Sequence, residues 1–121
     1  MLRLALPLLA LTLTGARAEQ PIDVALSNFK FAPSTIRLEH GQPYILHLTS
    51  SGGHSFAAKT FFAAAAMRPS ERAKVASGKI ELEGGESVEV RFVAPAAGTY
   101  KITCTHFLHA SFGMTGRFVV S

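Results

Sequence analysis

The sequence predicts an all-β sandwich of about seven short strands carrying a short helical insertion around residues 58–77. Two observations predict the sandwich. From Ile22 onward apolar residues recur at every second position, and these runs are bounded by Gly, Pro, Asn and Ser. A third observation, the cluster Phe61-Phe62-Ala63-Ala64-Ala65-Ala66, predicts the helix between strands.

Ahead of the first strand, residues 1–18 read as a signal peptide. Arg3 supplies a basic start, residues 4–13 are apolar apart from Pro7 and Thr12, and Ala16-Arg17-Ala18 has the small-x-small pattern of a cleavage site. The apolar run is about half of the roughly 20 residues that span a bilayer. Export to the periplasm with cleavage is therefore expected, leaving a single domain at 19–121 with no membrane insertion afterwards.

The strands follow in order. Residues 22–26 alternate up to Ser27-Asn28. Residues 35–39 put Ile36 and Leu38 on one face, His40-Gly41-Gln42-Pro43 turns the chain, and 44–49 set Tyr44, Leu46 and Leu48 opposite Ile45 and His47. In the insertion, Pro69 is expected to break the alanine-rich helix and Ser70 to cap a second turn ending at Gly78. Residues 79–83 and 87–93 read as a hairpin about Gly84-Gly85, with Ile80, Leu82, Val88, Val90 and Phe92 inward. Tyr100, Ile102 and Cys104 are in phase on the next strand, and 117–120 close the fold.

Composition narrows the function. Without Arg3 and Arg17, ten Lys and Arg stand against eight Asp and Glu, scattered and not interleaved with stacking aromatics, which argues against nucleic acid. The chain has one cysteine, Cys104. In an exported protein a lone thiol cannot form an internal disulfide and is a liability unless something occupies it; a metal would.

The stretch Cys104-Thr105-His106-Phe107-Leu108-His109-Ala110-Ser111-Phe112-Gly113-Met114 collects a thiol, two imidazoles and a thioether. Soft sulfur with imidazole selects copper or zinc, and methionine is a poor zinc ligand. A blue copper site needs two imidazoles, one thiolate and a weak axial thioether. The loop between two strands supplies most of these, and His54, after Gly52-Gly53 at another strand end, offers the missing imidazole.

A His after a glycine turn, then Cys, four residues, His, four residues, Met, resembles the cupredoxin (blue copper) family, in its single-domain plastocyanin-like and azurin-like branches. Asn28-Phe29-Lys30-Phe31-Ala32-Pro33-Ser34-Thr35-Ile36 with Gly41 following is similar to that family's opening segment. The resemblance implies a Greek-key sandwich and one copper ion cycling between Cu(I) and Cu(II). It makes His54 and His109 the imidazoles, Cys104 the thiolate and Met114 the axial thioether. One departure stands out: the family often places an Asn near the end of the strand before the first His, tying the two ligand loops, and Thr49-Ser50-Ser51 occupies that place here.

His106 is the rival to His109 within the loop and is expected to sit beside the site or to bind metal transiently. His40 and His47 read as solvated or hydrogen-bonded imidazoles, and Met67, Phe61 and Phe62 as core. Phe107, Leu108, Ala110 and Phe112 make an apolar surface around His109, expected to plug the pole and to receive redox partner proteins. The functions in view are a one-electron carrier, which is not an enzyme, and a periplasmic copper carrier delivering the ion to an oxidase. A redox enzyme would need further copper centres.

Overall fold

The computed structural model describes residues 17–121; the signal-peptide expectation lies almost wholly outside them. Among the described residues no helix is long and apolar enough to cross a membrane. Among the described residues nine strands form two sheets. One has the order β2-β1-β4-β7, from β1 (Gln20–Ser27), β2 (Lys30–Ala32), β4 (Pro43–Ser50) and β7 (Ser87–Val93). The other has the order β3-β9-β8-β5-β6, from β3 (Thr35–Leu38), β5 (His54–Ala57), β6 (Lys79–Leu82), β8 (Gly98–Thr103) and β9 (Thr115–Val120).

Most predicted inward residues are buried, namely Ile36, Leu38, Tyr44, Leu46, Leu48, Ile80, Leu82, Val90, Phe92, Ile102 and Cys104, whereas Val88 and Tyr100 are half-buried at the margin of the core. Phe61 from the insertion enters this core and stacks on Phe118 of β9 at 3.8 Å between ring centroids. The sheets are mixed, because β1 runs parallel to β4 and β3 parallel to β9. Two strands escape the sequence pattern. β2 has three residues, too few to alternate visibly. In β5, His54, Ser55 and Phe56 are all buried, so there is no exposed face to read.

One turn differs from expectation. β6 and β7 do not form a hairpin: they lie in different sheets, and Gly84-Gly85 arches between them. The 39–43 turn likewise carries the chain from β3 in one sheet to β4 in the other. Alternation reports which face is buried, and an arch and a hairpin present the same alternation.

The insertion is helix α1 (Lys59–Ala64), helix α2 (Pro69–Arg72) and a 3-10 segment, Ala73–Gly78. Pro69 opens α2 rather than breaking a helix, and Arg68, not Ser70, is the N-cap. A proline lacks the N–H that the first helical position leaves unused. The insertion closes where Ala58 N–H donates to the Gly78 carbonyl at 3.0 Å. Gly78 has φ +74, and a Cβ there would lie 2.7 Å from Lys59 Cα, so only glycine fits.

The insertion also covers β7, an edge strand. Val93 N–H donates to Ala66 O at 2.9 Å, Arg91 N–H to Glu71 Oε2 at 3.0 Å, and Lys74 Nζ to Glu89 O at 2.9 Å. Outward-facing backbone groups that would otherwise template another strand are thereby occupied.

Candidate metal centre

Strand registers bring the ends of β1, β4, β6 and β8 and the starts of β5 and β9 to one pole. His54 opens β5 there, 1% exposed. The 104–114 segment leaves β8 as a string of tight turns: His109 N–H donates to His106 O at 3.1 Å and Gly113 N–H to Ala110 O at 3.0 Å. Cys104 N–H then donates to Met114 O at 3.2 Å, and Met114 N–H to His109 O at 3.0 Å. The thiol, second imidazole and thioether are thus laced together by backbone bonds. Cys104 and Met114 are both buried.

His54, Cys104 and His109 offer donor atoms that all lie within 4.8 Å of one another. The two Nδ1 atoms face each other at 3.2 Å, and Cys104 Sγ is 3.5 Å from His109 Nδ1. The separations of 3.2 and 3.5 Å are those of donors that can share one ion at the roughly 2.0 to 2.3 Å bond lengths of imidazole and thiolate. Among the described residues the buried His54 Nε2 has no hydrogen-bond partner, so no protein acceptor holds the ring there; a metal ion held by His54 would supply that restraint. Burial, then the nearby His109 and His106, hold the His54 imidazole below its ordinary value of 6.5. That keeps its lone pair available at neutral pH. His40 and His47 lie elsewhere, His40 Nδ1 against the Pro95 carbonyl at 2.9 Å and His47 Nδ1 against Asp23 at 3.0 Å. His106 sits outside the ligand group, its Nε2 2.8 Å from Glu81 Oε2.

The tie between the two ligand segments is not Thr49-Ser50-Ser51. The Ser50 hydroxyl donates to Gly52 O and that of Ser51 to Leu26 O. Ser55 makes the tie: its backbone N–H points at Cys104 Sγ (3.4 Å), and its Oγ accepts Thr105 N–H at 2.7 Å and pairs with Thr105 Oγ1 at 2.8 Å. Phe29 is a second residue the sequence did not reveal. It sets its ring edge-on to His109 at 5.2 Å and packs on Phe112 at 5.1 Å. Their signals were slight: Ser55 directly follows His54, and Phe29 lies in the opening segment of the family resemblance.

A family model described as copper binding proteins, plastocyanin/azurin family, matches residues 18–121. The chain belongs to this family. The cupredoxin therefore carries one copper ion in a type 1 centre, for which the clustered imidazoles, thiolate and thioether are the fitting donor set. Solved structures share the fold. Auracyanin A, a "blue" copper protein from Chloroflexus aurantiacus, is 22% identical with a TM-score of 0.61, covering 86% of this chain and 100% of that one. Auracyanin from Roseiflexus castenholzii is 22% identical at TM-score 0.60, covering 86% and 98%. The blue copper oxidase of Nitrosomonas europaea matches at TM-score 0.65 and 17% identity, over 86% of this cupredoxin and 39% of the oxidase. No curated protein matches it by sequence.

Proposed function

We propose that this cupredoxin is an exported one-electron carrier rather than an enzyme, with His54, Cys104, His109 and Met114 as its copper ligands. Residues 1–18 direct export to the periplasm, and 19–121 are the working domain. The observation that carries the reading is the ring of exposed apolar side chains around His109: Phe107 at 87%, Phe112 at 62%, Leu108 at 47% and Phe29 at 38% exposure. Four large apolar groups on one pole exceed what folding needs and fit a contact surface.

Leu108 sharpens the point. It has φ +62, a left-handed conformation that costs a non-glycine residue about 1–2 kcal/mol. A leucine both strained and exposed does little for the fold, so its side chain is kept for what it touches outside.

Bound copper supplies a one-electron couple at a site whose geometry suits both oxidation states. The protein's share is to hold the two imidazoles and the thiolate together, to direct the Ser55 N–H at the sulfur, and to keep water from the buried donors. His109, half-buried beneath Phe29 and Phe112, is the one imidazole of the set that reaches the pole. Leu108→Asn tests the reading, since asparagine tolerates the left-handed region. The variant should be as stable as the parent or more so, yet exchange electrons between oxidised and reduced copies about tenfold more slowly, a change of about 1.4 kcal/mol. Unchanged self-exchange, followed by NMR line broadening, would count against an apolar docking pole.

Copper delivery to another protein is the second reading, favoured by the extra imidazole His106 beside the ligand group. Fast copper transfer to a chelator combined with slow electron exchange would support it.

A further inference from the structure

Three of the four ligands are closed to solvent: His54, Cys104 and Met114 are exposed by 2% or less. The fourth, His109, is covered on its outer side by Phe29 and Phe112. A hydrated cation approaching over this apolar ring would shed water with nothing to replace it, which is costly. The other flank of the pole is polar. There His106 stands with its ring centroid 5.4 Å from that of His109 and 6.4 Å from that of His54.

His106 is built as a ligand would be. Its Nε2 lies 2.8 Å from Glu81 Oε2 on β6. An ionised carboxylate only accepts, so Nε2–H is the donor and the lone pair falls on Nδ1. Among the described residues Nδ1 has no hydrogen-bond partner. A carboxylate on the far nitrogen is how proteins orient a metal-binding imidazole. Gly53 lies against the same place: a Cβ there would be in ordinary contact with both His106 Cε1, at 3.6 Å, and Glu83 Oε2, at 3.4 Å. A second carboxylate therefore borders the same spot. The His47–Asp23 pair, at 3.0 Å, repeats the carboxylate-imidazole chemistry away from the ligand group. What distinguishes His106 is its place beside the ligand imidazoles.

We propose that His106, oriented by Glu81 and bordered by Glu83, is a capture site that takes copper ions at the surface and passes them to the buried ligands. The proposal rests on His54, Cys104, His109 and Met114 being those ligands. Capture is a ligand exchange: His106 Nδ1 lends its lone pair in place of one water on the ion, with no electron transferred and the Nε2 proton retained. His109 then takes over as the ion moves inward, and His106 is free again.

A residue on the path changes rates without changing the end states. Copper(II) added to the apoprotein and followed by growth of the visible band measures uptake; transfer from the loaded protein to a chelator measures release. His106→Ala should slow uptake and release by the same factor, about tenfold or more given the usual gain from local cation concentration, with Kd and final spectrum unchanged. Glu81→Gln, which keeps the side-chain shape, should slow both less, and His47→Ala neither. Parental rates in both His106→Ala and Glu81→Gln would overturn the capture site. So would slower uptake accompanied by an altered Kd, which would mark a structural role. A parent protein that gains no visible band would instead sink the ligand assignment itself.

Discussion

At the scale of single residues, Ser55 joins the halves of the centre. Its hydroxyl oxygen takes the Thr105 N–H and pairs with the Thr105 hydroxyl, while its backbone N–H points at the Cys104 sulfur. Ser55→Ala leaves the backbone contact and removes both hydroxyl bonds to Thr105 together with the long hydroxyl contact to Cys104 Sγ at 3.8 Å, in a position with no exposure. Loss of such bonds costs roughly 0.5–1.5 kcal/mol each, more where a buried partner is left unsatisfied. The apoprotein should lose about 1–3 kcal/mol in urea unfolding, and the loaded protein's sulfur-to-copper band should shift as the Cys104 segment loosens; an unchanged midpoint and band would deny Ser55 this role. None of this was legible beforehand. The Cys104–His109–Met114 spacing is written in one stretch of chain, whereas the tie from Ser55 to Thr105 joins residues 50 apart through a hydroxyl that elsewhere merely caps turns.

At the scale of elements, alternation made most strands legible because one face of each is buried. It failed for β5, buried on both faces, and could not tell the β6–β7 arch from a hairpin. The insertion shows the same limit: Phe61 and Phe62 announced a buried helix, but nothing in the sequence said that Glu71 would seal β7. Burial pushes the Glu71 carboxyl up, but the Arg91 N–H and the Lys74 ammonium outweigh it, leaving it below the ordinary 4.5. Because the folded-state value is the lower one, the stabilisation is complete above about pH 4.5 and fades as pH falls through the folded value. Glu71→Gln should therefore cost about 1–3 kcal/mol near neutral pH. Its unfolding midpoint should converge on the parent's as acid protonates Glu71. A deficit of constant size down to low pH would show that shape, not charge, matters there.

At the scale of the whole molecule, the sandwich sets one end apart. Strand registers converge the ligand-bearing ends, the sheets bury the thiolate, thioether and first imidazole, and the second imidazole is left under an apolar ring with a polar flank beside it. The 490 Å³ surface depression lined by Tyr44, Met67, Arg68, Glu71 and Arg91 touches none of the four ligands; the proposed exchange with other molecules is at the pole. The donor set and the pole were readable from motif spacing and from the crowding of phenylalanines around His109; the division of that pole into apolar and polar halves was not, because Phe29 arrives from the β1–β2 turn and Glu81 from β6. The most direct test is the visible spectrum of the copper-loaded protein during titration with a one-electron reductant. An intense band that bleaches with one equivalent, returns on oxidation and is lost in Cys104→Ser is the predicted result. A colourless copper(II) protein, or a band that survives Cys104→Ser, would contradict it.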